Sequence, residues 1–182
     1  RAVERADLSV SGYGVKAFTI SMVRAAISAS NRTVPVEVIE QLVEIGQHML
    51  TEPVRVLDHV PEVLATIGAE KRIVMITKGD LVHQTRKVTT SGLEHHFSDI
   101  EILLEKDSVT YAKIFRRLGV EPERVLMIGN SVKSDILPVM ALGGHAVHIP
   151  YHMTWELERV DEHDAEFAEL ASMSELPGWL GL

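Results

Sequence analysis

The sequence predicts an α/β protein: a Rossmann-like parallel sheet with helices on both faces, preceded by an N-terminal helical segment. Short apolar runs rich in branched residues occur at 72–77, 100–104 and 124–128, as expected for strands buried on both faces of a parallel sheet. Segments with helical periodicity separate these runs, and no strand signal occurs before residue 54. Strands that alternate with helices form parallel βαβ units, which defines the topology of the predicted core.

The N-terminal part of the chain predicts two helices, at 15–30 and 36–50. A polar break separates them, and Pro35 suits the start of the second helix. We expect an antiparallel pair joined by a short loop. Apolar residues recur at helical spacing in both segments: Phe18, Met22, Val23, Ala26 and Ile27 in the first, and Val36, Ile39, Leu42, Val43, Gly46, Met49 and Leu50 in the second. The predicted domains are therefore a helical segment at 1–54 and a Rossmann-like core at 55–182.

Turn and cap residues define the remaining elements of the predicted core. The list in chain order is a helix at 61–67, a strand at 72–77, a helix at 81–91 ended by Gly92, a strand at 100–104, a helix at 108–118 with Ser108 as N-cap, a strand at 124–128, a helix that begins near Ser134–Asp135 and ends at Gly143–Gly144, a strand at 146–149 and an amphipathic helix at 164–173.

Composition narrows the class of protein. The chain has 182 residues, a formal charge of −8 at pH 7 and no cysteine. The negative charge argues against a nucleic-acid or anionic-membrane surface, and the lack of cysteine excludes disulfides, thiolate zinc sites and a cysteine nucleophile. No apolar run approaches the roughly 20 residues that a transmembrane helix needs. We expect a soluble cytoplasmic protein that binds neither nucleic acid nor membrane.

Polar side chains follow three of the predicted strands. Thr77 closes one strand, Lys106 lies just beyond the next, and Asn130 and Asp135 follow the strand at 124–128. Ligands of open α/β sheets bind at the carboxyl ends of the strands. A hydroxyl donor, a fixed positive charge and a carboxylate for Mg²⁺ are the groups that phosphoryl transfer requires.

This set resembles the haloacid dehalogenase-like hydrolases. Gly129–Asp135 is similar to the fourth motif of that superfamily, Gly-Asp-x-x-x-x-Asp, with Asn130 in place of the first aspartate. Thr77 matches the second motif and Lys106 the third, and Ser91–Phe97 resembles the phrase between them. Order and spacing agree from about Leu57 to Pro150. The helical segment at 15–52 is similar to the helical cap that the family inserts between its first and second strands.

The resemblance implies a Mg²⁺-dependent phosphatase that acts on a small phosphomonoester through an aspartyl-phosphate. In that mechanism Thr77 and Lys106 are catalytic, and Asp135 and Asn130 hold the metal. Substrate contacts fall to Lys78 and Gly79 after the second motif, and to Tyr13 and Lys16 of the cap. The partner is a small phosphorylated molecule, and the oligomeric state is left open.

One motif of the family has no counterpart in the sequence. The first motif, a strand that ends in Asp-x-Asp-x-Thr and carries the nucleophile, is absent, and the nearest acidic residues, Glu4 and Asp7, follow no apolar strand. We expect a stretch of about 50–60 residues before Arg1, judged from ordinary element lengths, to supply it. Two alternatives stay open: a metal-independent 2-haloacid dehalogenase, and a non-catalytic binding protein of the same fold.

Overall fold

The structure is a computed structural model, and it describes residues 2–152, 158, 160 and 164–182. Its helices are α1 (Ala2–Ser11), α2 (Val15–Ala29), α3 (Val36–Thr51), α4 (Val60–Gly68), α5 (Leu81–Ser91), α6 (Ser108–Leu118), α7 (Leu137–Met140) and α8 (Leu176–Leu180). Its strands are β1 (Val74–Lys78), β2 (Asp99–Leu103), β3 (Leu126–Gly129), β4 (His145–His148) and β5 (Ala168–Glu169). In these residues no helix combines the length and the apolar character that crossing a bilayer demands.

The chain folds as two compact units. The first comprises Arg1–Val56 and Arg72–Leu104, and the second comprises Leu57–Lys71 and Glu105–Leu182. The predicted boundary near residue 54 between a cap and a core stays a prediction.

Parallel sheets confirm the predicted α/β class. In the first unit β1 pairs with β2, so that Thr77 lies opposite Ile102. In the second unit the order is β3-β4-β5, and Gly129 lies opposite His148. The described strands thus form two parallel sheets, whereas the sequence suggested one. Both sheets have the short, all-parallel strands that the apolar runs indicated.

Most predicted elements are present within two residues of their expected bounds. α5 and α6 match the predicted ranges, because glycines in the left-handed conformation, Gly92 and Gly119, end both helices. The N-cap of α6 differs from the prediction. Asp107, not Ser108, caps the helix, since its Oδ1 accepts a hydrogen bond from the Thr110 N–H at 2.7 Å.

The first helix, α1, covers a stretch for which the sequence makes no prediction. One prediction near the C-terminal end is wrong. The predicted helix at 164–173 is replaced by strand β5, which pairs with β4 through Val147 and Ala168. The helical periodicity of this segment is overridden because its backbone completes the ladder of the second sheet.

Helices α2 and α3 pack against each other, as predicted, but the apolar stripe of α3 is only partly covered. Ile39, Leu42, Gly46 and Leu50 are the less exposed positions, whereas Val43 and Met49, also assigned to that stripe, are exposed to 40% and 41%. The covered positions have the spacing of one helical face, so the predicted helical period is correct. The predicted apolar stripe is wider than the face that is covered.

The core of the second unit lies around α6 and the segment after β3. Tyr111, Ile136, Val139, Val147 and Leu176 are fully buried there. The Tyr111 hydroxyl donates to the Ser134 carbonyl oxygen at 3.0 Å, which satisfies the one polar atom of this aromatic side chain. α6 thereby supports the turn that follows β3.

Gly46 offers a test of the α2–α3 contact. A Cβ atom at Gly46 would overlap the side chain of Thr19, which is held by a hydrogen bond from its hydroxyl to the Val15 carbonyl oxygen. Alanine normally gains about 1 kcal/mol over glycine inside a helix. Overpacking costs about 1–3 kcal/mol. We therefore expect Gly46→Ala to lower the free energy of unfolding, measured by urea titration.

The double variant Thr19→Ala/Gly46→Ala is the control for this prediction. Removal of the Thr19 hydroxyl and methyl opens the space, so the double variant should be more stable than Gly46→Ala alone. A Gly46→Ala protein more stable than the wild type would contradict the close contact.

Candidate active site

The turn after β3 carries the acidic residue that the sequence singled out. Ser131 caps it: its Oγ accepts a hydrogen bond from the Ser134 N–H at 3.1 Å. A π-helical turn follows over Val132–Ile136 and leads into α7. The predicted start near Ser134–Asp135 is therefore wrong by about one turn. Because the Asp135 and Ile136 N–H groups both donate to the Ser131 carbonyl oxygen, Asp135 lies inside the helical turn and does not cap it.

Asp135 and Lys106 form a buried ion pair. Lys106 Nζ lies 2.6 Å from Asp135 Oδ1, and the two side chains are exposed to only 13% and 6%. The second carboxylate oxygen, Oδ2, accepts the Ser131 N–H at 3.0 Å. A buried carboxylate is tolerable only when charge and hydrogen bonds compensate it, and both are present here.

Gly129 makes this position of Asp135 possible. A Cβ atom at Gly129 would overlap the carboxylate and the Cβ of Asp135. The last residue of β3 must therefore be glycine for the side chain to fold back over the strand end.

The Tyr111 hydroxyl is buried near the carboxylates of this region, and both features raise its pKa. Burial raises the pKa of this hydroxyl strongly, and the nearby carboxylates of Asp135 and Glu158 raise it further. The hydroxyl therefore stays protonated and acts as a permanent donor to the Ser134 carbonyl oxygen.

Sequence reasoning missed Glu158. Its Oε2 accepts hydrogen bonds from the hydroxyls of Ser131, at 2.6 Å, and of Ser134. The residue lies in the acidic stretch after β4, outside every motif, and no local pattern distinguishes it from its acidic neighbours. Only the tertiary fold brings it to the turn.

His148 was missed as well. Its Nε2 lies 3.2 Å from the Asn130 carbonyl oxygen, and its Nδ1 lies 2.9 Å from Glu169 Oε2. The ring thus connects the ends of β4 and β5 to the backbone of Asn130. The Asn130 side chain itself is exposed.

The predicted substrate residues lie in the first unit, around the loop after β1. Lys78 Nζ lies 3.9 Å from the centroid of the Tyr13 ring, a cation–π contact. Lys16 Nζ lies 3.1 Å from Asp80 Oδ2. Gly79 joins these positions with a φ of 147°, a conformation that favours glycine. The structure therefore brings all four predicted substrate residues, Tyr13, Lys16, Lys78 and Gly79, to one loop.

Asp80 anchors this loop to helix α5. Its Oδ1 accepts the His83 N–H at 2.9 Å, so Asp80 is the N-cap of the helix. This backbone hydrogen bond is the largest cause that lowers the pKa of the Asp80 carboxyl; burial opposes it, and the Lys16 ammonium lowers the pKa further. The side chain is therefore held as a carboxylate between a helix N-terminus and a lysine.

Thr77 is half-buried in β1, one residue before this loop. Of the three predicted residues Thr77, Lys106 and Asp135, the last two are in contact within the second unit, and Thr77 lies in the first unit. The participation of Thr77 in one site with Lys106 and Asp135 stays a prediction.

The donor set of the second unit fits Mg²⁺. Mg²⁺ is usually held by one or two carboxylates together with waters and substrate phosphates. Asp135 provides a carboxylate fixed by Lys106 and Ser131, and the exposed amide of Asn130 provides a neutral oxygen nearby in the chain. No group of three acidic or histidine side chains that could hold a metal occurs among the residues that the structure describes. The roles of Asp135 and Asn130 as metal ligands stay predictions.

Comparison with known proteins identifies the family. A model of the haloacid dehalogenase-like hydrolases matches residues 11–143. The haloacid dehalogenase-like family hydrolase of Xanthomonas campestris is 39% identical, and its crystal structure superposes with a TM-score of 0.89 over 99% of this chain and 73% of that one. The chain belongs to the haloacid dehalogenase-like hydrolases. The predicted resemblance to this family is confirmed.

Two further relatives of this hydrolase have named activities. The glyceraldehyde 3-phosphate phosphatase of Methanothermobacter thermautotrophicus is 27% identical over 111 residues, which are 58% of this chain and 49% of that protein. This chain thus spans about half the length of the curated relative that it matches. The L-2-haloacid dehalogenase of Xanthobacter autotrophicus, whose structure holds covalently bound chloropropionic acid, is 15% identical, with a TM-score of 0.69 over 98% of this chain and 84% of that one. The second likeness shows the fold alone.

The buried ion pair predicts a large effect on stability. Lys106→Met leaves the Asp135 carboxylate buried with the Ser131 N–H as its remaining described donor, and breaking a buried pair costs about 3–5 kcal/mol. Urea unfolding should show this loss, and the exposed Lys113→Met is the control, with a change within about 0.5 kcal/mol.

The double variant Lys106→Met/Asp135→Asn separates the charge from the packing. The amide oxygen still accepts the Ser131 N–H and carries no charge, so the double variant should recover much of the stability lost in Lys106→Met. Equal losses in the single and double variants would show that packing, and not the buried charge, dominates.

Asp80 predicts a dependence of stability on pH. Because the pKa of Asp80 is lowered in the folded chain, its carboxylate stabilises the fold at pH values above the unfolded pKa of about 3.9. This contribution is lost as the pH falls through the folded pKa. Asp80→Asn keeps a cap residue but removes the charge, so its stability deficit, under about 1 kcal/mol, should be constant near neutral pH and vanish in acid.

Unfolding free energies of the wild type and Asp80→Asn between pH 7 and acid test this prediction. Asp58→Asn, at an exposed position, controls for the loss of one negative charge. A deficit that grows as the pH falls would contradict the assigned role.

Proposed function

We propose that this hydrolase is a Mg²⁺-dependent phosphatase that acts on a small phosphomonoester in the cytoplasm. The observation that carries the proposal is the buried Lys106–Asp135 pair beside the end of β3. A fixed ammonium and a carboxylate in a site with little water are the groups that stabilise a transferring phosphoryl group and hold its metal. The curated phosphatase relative supports the same reaction class.

Each residue has a role in this proposal. Lys106 neutralises charge on the transferring phosphoryl group and fixes Asp135, which holds Mg²⁺ together with Asn130. Thr77 donates its hydroxyl to a phosphoryl oxygen. When bound, Mg²⁺ supplies Lewis-acid stabilisation of the phosphoryl oxygens. The nucleophile, in this proposal, is the aspartate of the family's first motif, a motif that these 182 residues do not contain.

The loop after β1 is the proposed specificity element. Lys78 and Lys16 place two ammonium groups beside the aromatic face of Tyr13 and the carboxylate of Asp80. Gly79 permits a backbone that would bring its N–H close to a substrate; in the free chain this N–H donates to the Leu103 carbonyl oxygen at 3.2 Å. Two cations and one ring suit a short, anionic, phosphorylated carbon compound.

Metal-dependent turnover by the full-length gene product tests the proposal. Phosphate release from a panel of small phosphomonoesters should require Mg²⁺. Asp135→Asn should lower kcat by about 10²–10³-fold, the usual cost of one charge-stabilising group in a site. The exposed Asp58→Asn is the matched control and should retain the wild-type kcat.

The same protein discriminates the alternatives. Halide release from a 2-haloacid without Mg²⁺ would replace the phosphatase with a dehalogenase. Failure to form an aspartyl-phosphate mimic with beryllium fluoride, together with no turnover of either substrate class, would leave a binding protein of the same fold.

A further inference from the structure

We propose that Glu158 is a positioning residue for Asp135, acting through Ser131 and Ser134. The inference rests on the proposed function, since it concerns how the metal-binding carboxylate is held. Glu158 lies outside the four motifs of the family and was invisible to sequence reasoning. Its contacts, however, converge on the turn that carries Asp135.

Glu158 accepts two hydrogen bonds from the turn. Its Oε2 lies 2.6 Å from Ser131 Oγ and within hydrogen-bond distance of Ser134 Oγ. Both serines are buried, with 7% and 5% of their surface exposed. Hydrogen bonds to a carboxylate are stronger than those between neutral groups, and a buried hydroxyl that loses its acceptor is costly. Glu158 therefore restrains two points of one short turn.

Ser131 transmits this restraint to Asp135. Its hydroxyl donates to Glu158, while its N–H donates to Asp135 Oδ2 at 3.0 Å. The same hydroxyl oxygen accepts the Ser134 N–H at 3.1 Å. The residue is thus held between two carboxylates, one at its side chain and one at its backbone. A shift of the Ser131 side chain moves the N–H that orients the Asp135 carboxylate.

The conformation of the turn makes such a restraint necessary. Val132–Ile136 is π-helical, a rare conformation that is frequent at functional sites. It is closed by the Ile136 N–H, which donates to the Ser131 carbonyl oxygen at 3.3 Å. Tyr111 holds the turn from one side through the Ser134 carbonyl oxygen, and Glu158 holds the hydroxyls. Outer partners of this kind fix the orientation of metal-ligating carboxylates.

Glu158 acts here as an acceptor and not as a metal ligand. Its Oε2 already receives two hydroxyl groups, and Asp135 and Glu158 belong to no metal-binding group of three among the residues described by the structure. The role we assign therefore depends on hydrogen-bond acceptance. Glutamine at this position, whose amide oxygen also accepts hydrogen bonds, should preserve it.

The experiment compares Glu158→Ala, Glu158→Gln and the exposed control Glu70→Ala in the full-length protein. Glu158→Ala should lower kcat by about 10–100-fold, with KM changed much less, and should weaken binding of Mg²⁺ alone by a similar factor in calorimetric titration. The backbone ¹H–¹⁵N resonance of Ser131 should move upfield in proton shift as its bond to Asp135 loosens. Glu158→Gln should restore most of each quantity, and Glu70→Ala should match the wild type.

Clear outcomes would overturn the inference. One is an unchanged kcat and an unchanged Ser131 resonance in Glu158→Ala. The other is a Glu158→Gln protein as impaired as Glu158→Ala, which would show that the negative charge of Glu158, and not its hydrogen-bond acceptance, causes the loss. If Glu158→Ala does not fold, Glu158→Asp, shortened by one methylene, should show an intermediate loss of kcat, and wild-type kcat in that variant would count against the inference.

The metal-binding and resonance readouts separate this inference from the proposed function. A wild-type protein without phosphatase activity defeats the proposed function, yet the Ser131 resonance of Glu158→Ala still reports whether Glu158 holds the turn.

Discussion

The second unit depends on one interaction, the buried pair between Lys106 and Asp135. Removing both charges from water costs several kcal/mol per ion, and the short ion contact and the Ser131 N–H offset that cost. The pair also dictates its surroundings. Gly129 must lack a side chain, and the turn after β3 must deliver an N–H and a carboxylate to the same point. The glycine and the aspartate at the two ends of the Gly129–Asp135 pattern are therefore both needed to form this one ion pair.

Some features of this site follow from general rules of topology, and others depend on contacts between residues that are distant in the sequence. The sequence predicts Lys106 and Asp135 as site residues because ligands of open α/β sheets bind beyond the carboxyl ends of strands, a rule that needs no side-chain detail. The cap was assigned to Ser134–Asp135 and is Ser131, because the π-helical turn depends on bonds to Glu158 and Tyr111, which are distant in sequence. The sequence predicts a helix where strand β5 forms for the same reason: the partner strand β4, and not the periodicity of the segment, decides its conformation. The position of residues at strand ends was predictable, whereas the distant partners that shape the turn after β3 and strand β5 were not.

The loop after β1 shows a second kind of limit. The residues Tyr13, Lys16, Lys78 and Gly79 were suggested by resemblance, yet what brings them together is backbone geometry. Gly14, with a φ of 113°, approaches the backbone of Asp80 so closely that a Cβ would lie 3.1 Å from the Asp80 nitrogen. Asp80 in turn caps α5 and binds Lys16. A pair of glycines and one cap residue thus position the cations, and no pattern of polar residues could have indicated that.

The replacement of a family aspartate by Asn130 gains meaning from these contacts. In the proposed site, Asp135 would be the charged metal ligand among the described residues, and its Oδ1 already faces Lys106. In the proposed reaction Lys106 would keep Asp135 oriented, and a dianionic phosphate would bring the negative charge that Asn130 does not supply. On this proposal, metal and substrate would bind with positive coupling, because each would compensate the charge of the other.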